Sequence, residues 1–157
     1  MDFTAQVLTT LEALGLELPG NPPAPGGDYV PFRLHNGMGF LAAQTSGPGE
    51  EFRGRVGEGL TLEEGQRAAE QAALNALARI HQALGGFDRL VGLLHVAGHV
   101  SSAADFYDQP EVLDGASWVF NQVLGERGAH SRTAYAASHL PKRLSIELEI
   151  TFAYREV

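Results

Sequence analysis

Apolar residues return at helical spacing at Phe3, Val7, Leu11 and Leu14, which predicts a short amphipathic helix over residues 3–14, stopped at Gly15. Residues 19–27 then hold four prolines and three glycines, a composition that rules out regular structure and reads as a semi-rigid connection. Residues 30–34 and 39–43 are short strand candidates on either side of His35-Asn36-Gly37, and Asn-Gly is a strong hairpin signal. Thr61 and Glu64 have the spacing of a capping box and open a long helix. Its predicted inner face runs through Ala68, Ala72, Ala76 and Ile80 with Ala69, Ala73, Leu77 and Leu84, small enough for close packing, and Gly85-Gly86 ends it.

Residues 90–100 alternate imperfectly, placing Leu94, Val96 and Val100 on one side and Leu93, His95, Ala97 and His99 on the other. A helix over about residues 110–124 follows, with Asp108 as its expected cap, Pro110 in the first turn, Gly125 as its stop and a core stripe of Val112, Ala116, Val119 and Val123. After a strand through residues 133–137, Leu144, Ile146, Leu148, Ile150 and Phe152 alternate with Ser145, Glu147, Glu149, Thr151 and Ala153. The order is helix, strand, strand, helix, strand, helix, strand, strand. It predicts an α+β fold in two layers, one sheet with two long helices on one face, in a single domain over 1–157 with residues 1–19 as a helical extension.

At 157 residues the chain can bury a core without staples, and the absence of cysteine excludes disulfides, thiolate metal sites and a cysteine nucleophile. The amino terminus lacks the features of a signal peptide and no apolar run reaches ~18 residues, so the expectation is a soluble cytoplasmic protein without a membrane partner. A formal charge of −8 opposes a phosphate backbone, and no basic cluster offsets it, which counts against nucleic acid as a partner. The glycines at 47, 49, 54, 57 and 59 mark a loop, but no Gly-Lys-Ser/Thr follows as a phosphate loop requires. The histidines lack metal-ligand spacing, since His95 and His99 would stand roughly 13 Å apart along a strand, so no metal is expected.

Arg132 is the residue that most needs an explanation. Its guanidinium keeps its charge at the start of an apolar strand, so it either reaches water or holds an anion. Glu147 and Glu149 are either the polar side of the last strand or part of a site. His130, two residues before Arg132, lies on the same side if both are in the strand, as a second anion contact or proton carrier; otherwise it is a turn histidine capping the preceding helix.

Arg132 followed by Leu140-Pro141 and Glu147, with Tyr29, the turn from Gly54 to Gly59, Thr61-Leu62-Glu63-Glu64-Gly65-Gln66 and Val112-x-Asp114-Gly115-Ala116-Ser117, resembles the YjgF/RidA family, also called the L-PSP endoribonuclease family, over about residues 20–155. The amino-terminal helix and Gly125-Glu126-x-Gly128-x-His130-x-Arg132 resemble a longer branch of it. The resemblance implies a chorismate-mutase-like fold with a mixed sheet, a homotrimer, and a subunit-interface cleft for a small imino, enamino or 2-oxo acid. It implies that Arg132 grips the ligand carboxylate, that Glu147 positions or deprotonates the attacking water, and that Tyr29 closes over the ligand. Ala43 would lie beside the same pocket. The implied activity is hydrolysis of 2-imino or enamino acids to a 2-oxo acid and ammonia without cofactor or metal. Alternatives are a non-catalytic module binding a small carboxylate and, against the acidic charge, a ribonuclease or translation inhibitor. The chain departs from the short enamine deaminases in having Ala42-Ala43-Gln44 for Ser-Gly-Gln, Ala134 for a common cysteine, and His130 for a common proline.

Overall fold

The computed structural model describes residues 2–157. It contains helices α1 (Phe3–Ala13), α2 (Leu62–Leu84) and α3 (Gln109–Leu124), and strands β1 (Phe32–His35), β2 (Met38–Leu41), β3 (Gln44–Thr45), β4 (Leu90–Ser101), β5 (Ser131–Ala137) and β6 (Ile146–Tyr154). The strands form one sheet in the order β1-β2-β6-β4-β5, with the short β3 also paired to β6. β4 and β5 run parallel and the other pairs antiparallel, so the sheet is mixed. The predicted α+β two-layer arrangement is the one observed.

The local signals act as expected where they are chemical. Thr61 accepts from the Glu64 amide and Glu64 accepts from the Thr61 amide, both at 3.1 Å, closing the capping box of α2. Gly85 ends α2 in a left-handed conformation at φ 70°. On β6, Ile146, Leu148, Ile150 and Phe152 are buried in one core with the inner faces of α2 and α3. Helices α2 and α3 approach so closely at Gly115 that a Cβ there would stand 2.3 Å from the Gln66 carbonyl oxygen.

α1 docks on the helix layer. Val7 and Leu11 are buried, Thr4 accepts from the Phe87 amide at 2.7 Å and donates its own amide to Asp88 at 2.9 Å, and the Arg127 guanidinium covers the Phe3 ring at 3.9 Å.

Two expectations change. Leu93 faces the core with Val96 and Val100, while Leu94 is exposed, because the register with β6 shifts between the Leu93–Phe152 and His95–Thr151 pairs. This bulge inserts an unpaired residue and reverses the alternation upstream of it. Asp108 does stand at the N-cap of α3, but its side chain makes no capping bond; Gln109 instead donates to the Phe106 carbonyl at 2.8 Å and to Ser102 at 3.1 Å.

The sheet face opposite the helices is not covered by any described element of the chain. Met38, Phe40, Leu94 and Tyr135 are 40–48% exposed, and His99 stacks on Tyr135 with ring centroids 4.9 Å apart.

Candidate functional site

Tyr29, Ala43 and Glu147 line one cavity of about 420 Å³. Its wall is the Pro-rich segment, which explains why that stretch is ordered without regular structure: the Pro23 carbonyl accepts from Arg79, and the Gly26 amide donates to the Tyr29 hydroxyl at 3.0 Å. That bond uses a lone pair on the Tyr29 oxygen and leaves its proton free to donate. The second wall is the turn from β2 into β3, held to α2 by Asn75, which donates to the Thr45 carbonyl at 2.7 Å. Gln44 folds back to donate to the Ala42 carbonyl at 2.7 Å.

Glu147 pairs across β6 with Thr45 and His99 and is half-buried. Burial raises its pKa above the ordinary carboxylate value; His99 opposes that rise and Glu149 adds to it. Glu149 is itself held by His99 at 2.5 Å. A carboxyl with a raised folded-state pKa binds more protons folded than unfolded, so its ionised form opposes folding above the ordinary carboxylate range. Replacing it with glutamine is therefore expected to raise the urea midpoint at neutral pH, with the gain shrinking as pH falls toward that range and gone below it. A midpoint difference independent of pH would refute this origin.

Arg132 lies elsewhere. It pairs with the buried Val96 and so projects from the helix face of edge strand β5, whereas Glu147 projects from the opposite face two strands away. Its Nη1 donates to Asp114 at 2.8 Å and to Ser117 at 3.0 Å, and its Nη2 to the Pro110 carbonyl at 3.2 Å. Within the subunit, then, its anion is Asp114.

His130 stands just before β5, outside the strand, and among the described residues it meets neither an anion nor the end of α3. It lies beside Arg132, and its Nδ1 is 2.6 Å from the Gly128 carbonyl, in the 3-10 turn Gly125–Gly128 after α3. Because a carbonyl only accepts, Nδ1 carries the proton. Nε2 can then accept from Ser117 at 2.9 Å, leaving the serine oxygen to receive Arg132. Gly128 is tight against α3, where a Cβ would be 2.1 Å from the Phe120 carbonyl oxygen. The geometry thus orients a guanidinium through a chain from Gly128 to His130 to Ser117.

A single subunit therefore joins Tyr29, Ala43 and Glu147 in one cavity and Arg132 with His130 in a second, shallow depression shared with Ser117 and Asn121. Sequence reasoning assigned no role to Asp114 and Ser117, nor to the cavity cations Arg53, Arg79 and Lys142. Arg79 had a readable signal, a charge on the buried stripe of α2 three residues after Ala76. Asp114 had none, since its meeting with Arg132 depends on where α3 crosses β5.

A family model described as "YjgF/chorismate mutase-like, putative endoribonuclease" matches residues 9–154. Protein TCP17 of Trypanosoma cruzi is 31% identical over 149 residues, covering 93% of this chain and 92% of that protein. A protein of unknown function from Agrobacterium tumefaciens superposes with a TM-score of 0.88 at 30% identity, covering 97% of this chain and 94% of that one. Escherichia coli TdcF, solved with bound serine, shares the fold at a TM-score of 0.54 and 20% identity over 88% of this chain and 96% of that one.

Proposed function

Because this chain belongs to the YjgF/chorismate mutase-like family, we propose that it hydrolyses 2-imino or enamino acids to 2-oxo acids and ammonia, as a homotrimer whose interfaces unite the cavity of one subunit with Arg132 of the partner subunit. The observation that carries the reading is Glu147, a half-buried carboxyl with a raised pKa in a cavity that also holds the Tyr29 hydroxyl. The uncovered sheet face, with Tyr135, Phe40 and Met38, supports the trimer as the surface that would be buried on assembly.

In this reaction water adds to the C=N carbon while Glu147 takes one of its protons and passes it to the nitrogen, which gives a carbinolamine and restores the carboxylate. The C–N bond then breaks, the hydroxyl proton passes by way of the carboxylate to the departing nitrogen, and a 2-oxo acid and ammonia remain. A carboxyl with a raised pKa suits both transfers, because it is a stronger base than an exposed one and is more readily protonated near neutral pH. The Arg132 fork would hold the substrate carboxylate, and Tyr29 would donate a hydrogen bond above it. These residues supply positioning and proton transfer and need no cofactor.

The test is 2-oxo acid release from freshly generated 2-iminopropionate and 2-iminobutyrate, measured against the spontaneous rate alongside the mass in solution. Acceleration by a trimer is expected; no acceleration by a folded trimer would refute the catalytic reading. Ala42 and Ala43 in place of Ser-Gly favour, as a second reading, a module that binds such acids without turnover, which binding without acceleration would support. RNA cleavage is not expected from a chain of charge −8.

Asp114 sets a further expectation. It is 64% exposed at its side chain and competes with a ligand carboxylate for the Arg132 fork. Asp114→Asn removes that charge yet keeps a hydrogen-bond acceptor, and carboxylate affinity is expected to rise roughly fivefold, about 1 kcal/mol at an effective dielectric for a solvated pair. Weaker binding in this variant would mean that Asp114 is needed to hold the guanidinium in place.

A further inference from the structure

Arg79 is buried to 4% exposure on α2, where it lines the cavity that holds Glu147. Its Nη1 donates to Gln82 at 2.7 Å and its Nη2 to the Pro23 carbonyl, while its Nε has no partner among the described residues. No described carboxylate pairs with it, although the chain carries 19 acidic residues. A buried cation without a counter-charge is costly, and neutral acceptors offset only part of that cost.

A second cation stands at the mouth of the same cavity. The Lys142 ammonium packs against Gly26, 3.1 Å from where a Cβ would be, and has no hydrogen-bond or ion-pair partner among the described residues. Its backbone is left-handed at φ 58°, and Arg53 anchors the turn by donating to its carbonyl. Such a conformation in a lysine is uncommon and needs support from its surroundings. Arg53 itself is already committed, to Glu50 at 3.4 Å and to the carbonyls of Gly49, Pro48 and Lys142. The cavity thus holds a buried cation without a counter-charge, Arg79, an exposed cation at its mouth, Lys142, and a single carboxylate, Glu147.

We propose that the ligand of this cavity is a dianion, a short 2-oxo or 2-imino dicarboxylate whose distal carboxylate is held by Arg79 and Lys142. This rests on the reading above, in which Arg132 of the partner subunit takes the carboxylate next to the reacting carbon. A monoacid would fill the reacting end and leave the charge of Arg79 and Lys142 unbalanced. Glu147 offsets one of these charges, and the distal carboxylate of a diacid offsets the other.

Calorimetric titration of the assembled protein with oxaloacetate and 2-oxoglutarate, against 2-oxobutyrate, tests the inference without relying on turnover. The diacids are expected to bind roughly tenfold tighter or better, the scale of one added charge-assisted hydrogen bond. Arg79→Gln and Lys142→Gln should each narrow the ratio of diacid to monoacid affinity. Lys142 is exposed, so its variant keeps the test valid even if Arg79→Gln does not fold. Equal affinities in the wild type, or an unchanged ratio in a folded Lys142→Gln protein, would overturn the dianion inference while acceleration of the monoacid imines leaves the deaminase reading standing. Failure of every oxo acid to bind would remove both.

Discussion

Arg132→Ala is expected to abolish most of the acceleration of imine hydrolysis while leaving a folded protein. A bidentate, charge-assisted contact to a carboxylate contributes ~1.5–3 kcal/mol, so ligand affinity should fall between about tenfold and a hundredfold. The structural cost is smaller. Asp114, Ser117 and the Pro110 carbonyl each lose a donor, but Asp114 is solvated and Ser117 keeps His130. Arg132→Lys separates charge from geometry, because an ammonium restores the point charge but cannot span two oxygens; partial recovery is expected. A monomeric or unfolded alanine variant would show that Arg132 secures the fold, and unchanged acceleration would dismiss it from the site.

Gly115→Ala should destabilise the protein, although an alanine within a helix ordinarily gains about 1 kcal/mol over glycine. The sign is set by contact. The added Cβ would stand 2.3 Å from the Gln66 oxygen and 3.0 Å from its carbonyl carbon, and these are backbone atoms that cannot rotate away. Helix α2 would have to retreat, stretching the bond from Gln66 to the Glu111 carbonyl, now 2.9 Å. Overpacking of this kind costs roughly 1–3 kcal/mol or more, so a net loss near 1–2 kcal/mol and a melting temperature lower by about 5 °C are expected. Asp114 and Ser117 flank the shifted helix segment, so activity should fall as well. A higher melting temperature would mean that the helices yield at no cost.

The elements whose ends carry their own chemistry were legible in the sequence. The capping box of Thr61 and Glu64, the left-handed stop at Gly85, the Asn36-Gly37 hairpin and the strict alternation on β6 depend on neighbours within a few residues, so local physics decides them. The α+β order of elements follows from the same signals. The resemblance added the particular fold, and the candidate site residues Tyr29, Ala43, His130, Arg132 and Glu147 were proposed on it.

Everything that depends on which segment lies beside which was decided by the tertiary structure. The bulge after Leu93 arises only once β4 pairs with β6, and it turns Leu94 outward against its alternation. The facing of Arg132 is fixed by parallel pairing with Val96, which sends it toward Asp114 and Ser117 instead of toward Glu147. Arg79 and Lys142 are 63 residues apart in number, and only folding brings them to one cavity. Helical and strand periods are written in the covalent chain because the backbone repeats every few residues. Charge balance is not, because it is a sum over groups that only the closed fold places within reach of one another.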